Sequence, residues 1–240
     1  NHTSLDSGAY VFLALGAQAN SLSCPAAVES LVKYAGWGGD VYMITDRESC
    51  FDEREIVKNA GMKKEKFHMV TTKDRFGNID ADFRHPKVGL RKNRVKSFSM
   101  KTKVFDYIEN QDIKTVVYAD CDMLFTNDGC ATDLITAGDK SWDEGKIKFL
   151  HFHREKDSTG QKLGPITTLH AGTFVAHREH SKEVMEMWRK SIDSGLYAGD
   201  MTAFMAMYNR SGVDVLAAPV VPGTKEELAS VFPGPHPPQE

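Results

Sequence analysis

No apolar run in this chain approaches the roughly 18 to 20 residues that cross a bilayer, and no signal-peptide pattern opens it. Cysteine is scarce, with four among 240 residues. Cys24, Cys50, Cys121 and Cys130 show no Cys-x-x-Cys spacing, which argues against a zinc site. They are too few for a disulfide framework in a chain this long. Neither sign of charge prevails: 30 Lys and Arg face 33 Asp and Glu, for a net charge of -3. No global field therefore selects nucleic acid or a membrane surface. Internal repeats and low-complexity linkers are also missing.

What remains is the composition of a globular protein, 41% hydrophobic and 26% charged, able to bury a core. The length suits one α/β domain over residues 1–240. Its tail, residues 231–240, is irregular, because Pro233, Pro235, Pro237 and Pro238 exclude a helix or a central strand. The chain opens on Asn1 rather than Met, as an excised or processed domain would. Asn1-His2-Thr3 and Asn209-Arg210-Ser211 match the glycosylation sequon. They lean toward a secretory or Golgi lumen in a eukaryote; otherwise the expectation is cytoplasmic.

Strand and helix patterns alternate. Tyr10 to Leu15 is an apolar run of strand length, and a helix follows from Ser23 to about Tyr34 with Pro25 in its first turn. Val41 to Thr45 reads as the next strand, Asp52 to Ala60 as a helix closed by Gly61, and Phe67 to Val70 as a third strand. A helix is expected over Ser97 to Glu109 and a strand over Lys114 to Ala119. Strands over 146–152 and 167–176, helices over 179–191 and 200–208, and a last strand over 213–217 complete the reading. Such alternation implies crossover connections and a largely parallel sheet flanked by helices.

The most informative segment is Val116-Val117-Tyr118-Ala119-Asp120-Cys121-Asp122. An apolar strand runs directly into two aspartates spaced i, i+2, which point to one side of an extended segment. At the carboxyl end of a strand, where open α/β sheets bind ligands, such a pair suits Mn²⁺ or Mg²⁺ that also holds a substrate phosphate. Both aspartates solvated in a turn is the plainer alternative, but the apolar Met123-Leu124-Phe125 directly afterwards weighs against it. Cys121 is expected on the opposite face as a small core residue.

Other candidates are less specific. Eight basic residues lie between Arg84 and Lys103, mostly a solvated loop and helix face without the interleaved aromatics of a nucleic-acid groove. His170-Ala171-Gly172-Thr173 sets small residues inside an apolar strand, either for close approach of a ligand or as a bulge. Asp200 stands at a helix start, where local chemistry favours a cap.

Taken in order, Lys101, the Asp120-Cys121-Asp122 triplet, His170-Ala171-Gly172 and Asp200 give the chain a resemblance to the GT-A fold glycosyltransferases of the glycogenin and galactinol synthase type, family eight. It covers roughly residues 10 to 217, with specific motifs only at these four points. The resemblance implies a Rossmann-like GT-A domain and Mn²⁺ (or Mg²⁺) held by Asp120 and Asp122. It also implies a nucleotide-sugar donor, a UDP-sugar, and transfer with retention to a glycan, protein or small-molecule hydroxyl. Lys101, and less directly Arg94, would contact the phosphates or donor sugar, and Ala171 and Gly172 would line the sugar through their backbone. Asp200 would act near the anomeric carbon or order the acceptor. The loop Ala14-Leu15-Gly16-Ala17 would hold the nucleobase and ribose, and His236 is the late candidate for a third metal ligand. His170 stands where the family has Asn and Met201 where it has Gln, so the chain is a divergent member.

Two other classes compete. A haloacid-dehalogenase-like phosphatase also uses an Asp-x-Asp after a strand, but that strand usually lies near the chain start. A non-catalytic nucleotide-sugar or glycan-binding module would share the fold, and the retained aspartates argue against it.

Overall fold

The structure, a computed structural model, describes residues 5–16, 22–76, 92–139, 148–152, 168–197, 199–211 and 216–217. Its frame is a seven-stranded sheet. The strands are β1 (Gly8–Ala14), β2 (Asp40–Thr45), β3 (Phe67–Thr71), β4 (Thr115–Ala119), β5 (Lys148–Phe152), β6 (Thr168–His177) and β7 (Leu216–Ala217). Their order is β3-β2-β1-β4-β6-β5-β7. The first four strands are parallel, β6 runs antiparallel between β4 and β5, and β7 is parallel to β5. The expected α/β, mostly parallel, Rossmann-like sheet flanked by helices is what the chain forms.

Strand residues alternate between two cores, as a period of two requires when both faces are covered. Tyr10, Phe12, Met43, Val117 and Ala119 join one core with α1 (Ser23–Lys33), α2 (Glu53–Ala60) and α4 (Cys130–Asp139). Val11, Ile44, Val116, Tyr118 and Phe174 join the other with a 3-10 helix (Met100–Tyr107), α5 (Lys182–Asp193) and α6 (Asp200–Ser211). Local chemistry sets several boundaries. The Asp52 side chain accepts from the Arg54 and Glu55 amides to start α2, and Gly61, at φ 70°, ends it.

Two expectations change, and one helix was not foreseen. The helix expected from Ser97 begins at Lys92 as α3 (Lys92–Ser99) and tightens into the 3-10 helix at Met100. Helix α4 had no clear sequence signal. Helix α5 starts at Lys182 rather than Glu179. The irregular tail at 231–240, and with it His236, lies outside the described residues. So do Ala17 and most of the last expected strand.

Candidate functional site

The carboxyl ends of β1, β2 and β4 lie on one edge of the sheet, because these strands are parallel neighbours. Ala14, Leu15 and Gly16 close β1 there, and Asp120 follows directly on β4. Asp46, at the end of β2 and fully buried, ties this edge together. Its Oδ1 accepts from the Gly16 amide at 2.9 Å and its Oδ2 from the Phe76 amide at 2.7 Å. Two backbone donors on one buried carboxylate satisfy its charge and staple the loop after β1 to the segment after β3. Gly16 has φ 87°, a left-handed conformation that a side chain would strain.

The aspartate pair differs from its expected geometry. Strand β4 ends at Ala119, and Asp120 to Met123 form a tight turn closed by the Met123 amide on the Asp120 carbonyl at 3.1 Å. Asp122 therefore lies within a turn rather than along an extended strand, and it is exposed while Asp120 is half-buried. The turn is anchored on three sides. The Asp120 amide donates to the Gly172 carbonyl at 2.8 Å across the β4–β6 pair. The Phe125 amide donates to Ser30 Oγ at 3.0 Å, and the Phe125 ring packs edge-on to Tyr10 in the core. The third anchor corrects the cysteine reading: Cys121 does face away from the carboxylates, but it is disulfide-bonded to Cys24 at the start of α1.

Lys101 is the centre of the cluster. The 3-10 helix buries it, leaving 9% exposed, and directs Nζ to Asp120 Oδ1 at 3.0 Å, Asp200 Oδ2 at 2.6 Å and the Ala171 carbonyl at 3.2 Å. Burial pulls the Lys101 pKa down, but the Asp120 and Asp200 carboxylates outweigh it and hold the ammonium well above its usual range. Arg178 fixes the far end of this 3-10 helix by donating to the Phe105, Ile108, Asn110 and Ile113 carbonyls while stacking on Phe105.

Asp200 stands one residue inside the helix start rather than at the cap position, yet its Oδ1 still accepts from the first-turn Met201 amide at 2.9 Å. It is the first residue of α6, and the Gly199 carbonyl accepts the first helical bond, from Ala203. Its Oδ2 is buried, and among the described residues its one partner is the Lys101 ammonium, which balances its charge. The buried Trp188 of α5 holds Asp200 in place, its indole N–H donating to the Asp200 carbonyl at 2.9 Å.

The cluster thus joins Lys101, Asp120, Ala171 and Asp200 directly and brings Asp122 and Gly172 beside them. The carbonyls of Ala171 and Gly172 are taken by Lys101 and the Asp120 amide, so here they build the site. The side chains of Arg94 and His170 fall outside the described residues. Sequence reading passed over Tyr118, whose hydroxyl donates to Asp120 Oδ1 at 2.5 Å; the only signal was its position two residues before Asp120, on the same face of the strand.

Three carboxylates and one ammonium leave the cluster net negative, and Asp120 Oδ2 and Asp122 carry no hydrogen bond among the described residues. Oxygen donors of this kind suit a hard divalent cation, which needs only one or two protein carboxylates when phosphates complete its shell. Among the described residues no group of three or more His, Cys, Asp or Glu could hold a metal, so further ligands would come from substrate or water. No family model matches the chain, and no curated protein matches it significantly.

Proposed function

We propose that the chain is a metal-dependent glycosyltransferase of the GT-A type. It would move a sugar from a nucleotide diphosphate donor, a UDP-sugar, to a hydroxyl acceptor with retention. The observation that carries this reading is the Asp120–Lys101–Asp200 bridge at the carboxyl edge of the sheet, with Asp122 exposed beside it. A net negative cluster repels a diphosphate unless a cation lies between them, which is what the exposed Asp122 beside the half-buried Asp120 provides for. The mostly parallel, Rossmann-like sheet is compatible with the GT-A reading.

Asp120, through Oδ2, and Asp122 would hold Mn²⁺ or Mg²⁺, and the bound cation would neutralise charge on the departing diphosphate. Lys101 holds Asp120 and Asp200 in place, and Asp200 faces the donor sugar. The loop that opens with Leu15 and Gly16, pinned by Asp46, borders the nucleoside. The Cys24–Cys121 disulfide supports an oxidising compartment such as the Golgi lumen. In the described residues no helix is long and apolar enough to cross a membrane.

Incubation with a panel of nucleotide sugars in Mn²⁺, with and without chelator, tests the reading. Slow, chelator-sensitive release of nucleoside diphosphate from one donor is expected. Intact donors throughout, with UDP still bound, would instead leave a binding module.

A further inference from the structure

Among the described residues, Tyr118 is the one buried side chain that touches the aspartate pair and to which the glycosyltransferase reading gives no task. It is 1% exposed, and its ring stacks on Phe174 with centroids 5.0 Å apart, so the ring is fixed by the sheet beneath it. Its hydroxyl reaches past the end of β4 to Asp120 Oδ1 at 2.5 Å. Lys101 Nζ meets the same oxygen at 3.0 Å and lies 5.1 Å from the Tyr118 ring centroid. An apolar contact would be served equally by phenylalanine, and the stacking needs no hydroxyl. Among the described residues, the polar end of this side chain therefore has one partner, a carboxylate.

We propose that Tyr118 is a positioning residue that sets divalent-cation affinity by holding the Asp120 carboxylate in one orientation. With Oδ1 occupied by Tyr118 and Lys101, the rotation of the carboxylate is fixed and Oδ2 is left without a hydrogen bond among the described residues. Lys101 alone does not achieve this. It is shared with Asp200, and an ammonium follows either oxygen of a rotating carboxylate, whereas a phenol on a locked ring donates from one fixed oxygen position close to the ring plane. Groups that orient a metal-binding carboxylate by hydrogen bonding typically change metal affinity by about 10- to 100-fold when removed. The proposal rests on the metal-dependent reading above, and its test separates the two.

The test is Tyr118→Phe, which keeps ring, volume and stacking and removes only the hydroxyl. Mn²⁺ binding to wild type, Tyr118→Phe and Asp122→Ala is measured by the electron paramagnetic resonance signal of free Mn²⁺, in the presence of UDP, beside thermal melts in chelator. Wild type should bind Mn²⁺, and Tyr118→Phe should bind it about tenfold or more weakly. Their chelator melts should differ far less than their melts in Mn²⁺ and UDP. Equal Mn²⁺ affinity in wild type and Tyr118→Phe would overturn the proposal and leave the metal site standing. Absence of Mn²⁺ binding by wild type itself would overturn the metal-dependent reading and this proposal with it. Should Tyr118→Phe fail to fold, wild type labelled with ¹³C at the tyrosine ζ carbons gives a second measurement. The Tyr118 resonance should move with Mg²⁺ on the binding isotherm, and a resonance indifferent to saturating Mg²⁺ would refute the positioning role.

Discussion

Lys101 and Asp200 form a 2.6 Å ion pair between the 3-10 helix and the first turn of α6. These elements are far apart in sequence and join at the carboxyl edge of the sheet. The pair shares its ammonium with Asp120, so a residue assigned to the donor sugar and one assigned to the metal are electrostatically joined. A change at either carboxylate must therefore be felt by the other through Lys101.

A double-mutant cycle reads this linkage directly. Lys101→Met leaves Asp120 and Asp200 without their cation, and breaking a buried ion pair typically costs about 3–5 kcal/mol. The lower end applies, because the Asp120 side chain is 30% exposed. Asp200→Asn alone removes a charged partner and should cost about 1–3 kcal/mol, where a mere cap would be neutral. In the Lys101→Met background the same Asp200→Asn change should become neutral or stabilising, as it removes an uncompensated charge. Additive costs in urea unfolding would show that the two residues act independently.

Asp122→Ala separates binding from folding. The side chain is exposed and makes no contact that the core needs, so stability should shift by less than about 0.5 kcal/mol. Calorimetry should show UDP affinity in Mn²⁺ falling to the level seen in chelator. A variant that retains the Mn²⁺-dependent gain would remove Asp122 from the metal site.

Much of this arrangement was legible in the sequence. Apolar runs of strand length marked β1, β2 and β4, and capping chemistry at Asp52 and Gly61 bounded α2. The order of Lys101, Asp120, Asp122 and Asp200 pointed to one edge of the sheet. What escaped depends on tertiary contacts. Helix α4 contains two Thr and a Gly, poor helix formers, and is held by Ala131, Leu134 and Ile135 packing under the sheet. Asp46 resembles any turn acid until Gly16 and Phe76 are seen to donate to it. Tyr118 reads as one more apolar strand residue, because a sequence does not show where a hydroxyl ends. The protein partners of Lys101 were equally hidden: the lysine expected to contact phosphates or donor sugar bridges two carboxylates from distant elements.

The Cys24–Cys121 disulfide closes a loop with a sequence separation of 97 and clamps the aspartate turn from behind. Cross-links of such reach typically stabilise by about 2–4 kcal/mol. The double variant Cys24→Ala/Cys121→Ala should lose that much in urea unfolding, and reductant should lower the melting temperature of wild type alone. Cys50 and Cys130 are the free thiols, so peptide mapping without reduction should find label on these two only. Label on Cys121 in the native, unreduced protein would contradict the pairing.

A pH-dependent stability is built into the other end of β6. His177 Nδ1 accepts from the Glu179 and His180 amides at 3.2 and 3.3 Å, which requires that nitrogen to be unprotonated. Burial, and next the neighbouring His180, lower the His177 pKa; Glu179 and Asp139 oppose them, and Lys114 adds slightly to the lowering. A histidine depressed below its ordinary 6.5 contributes stability that is complete above pH 6.5. That contribution is lost as pH falls through the folded value, because the unfolded chain takes up the proton more readily. His177→Asn offers an amide oxygen near the same place without titrating, and asparagine is at home in such a turn. Wild type should therefore lose stability relative to His177→Asn as pH drops below 6.5, with the difference constant above it. Unfolding free energies of the two proteins that run parallel across this range would show that the His177 ring is not titrating against the turn it holds.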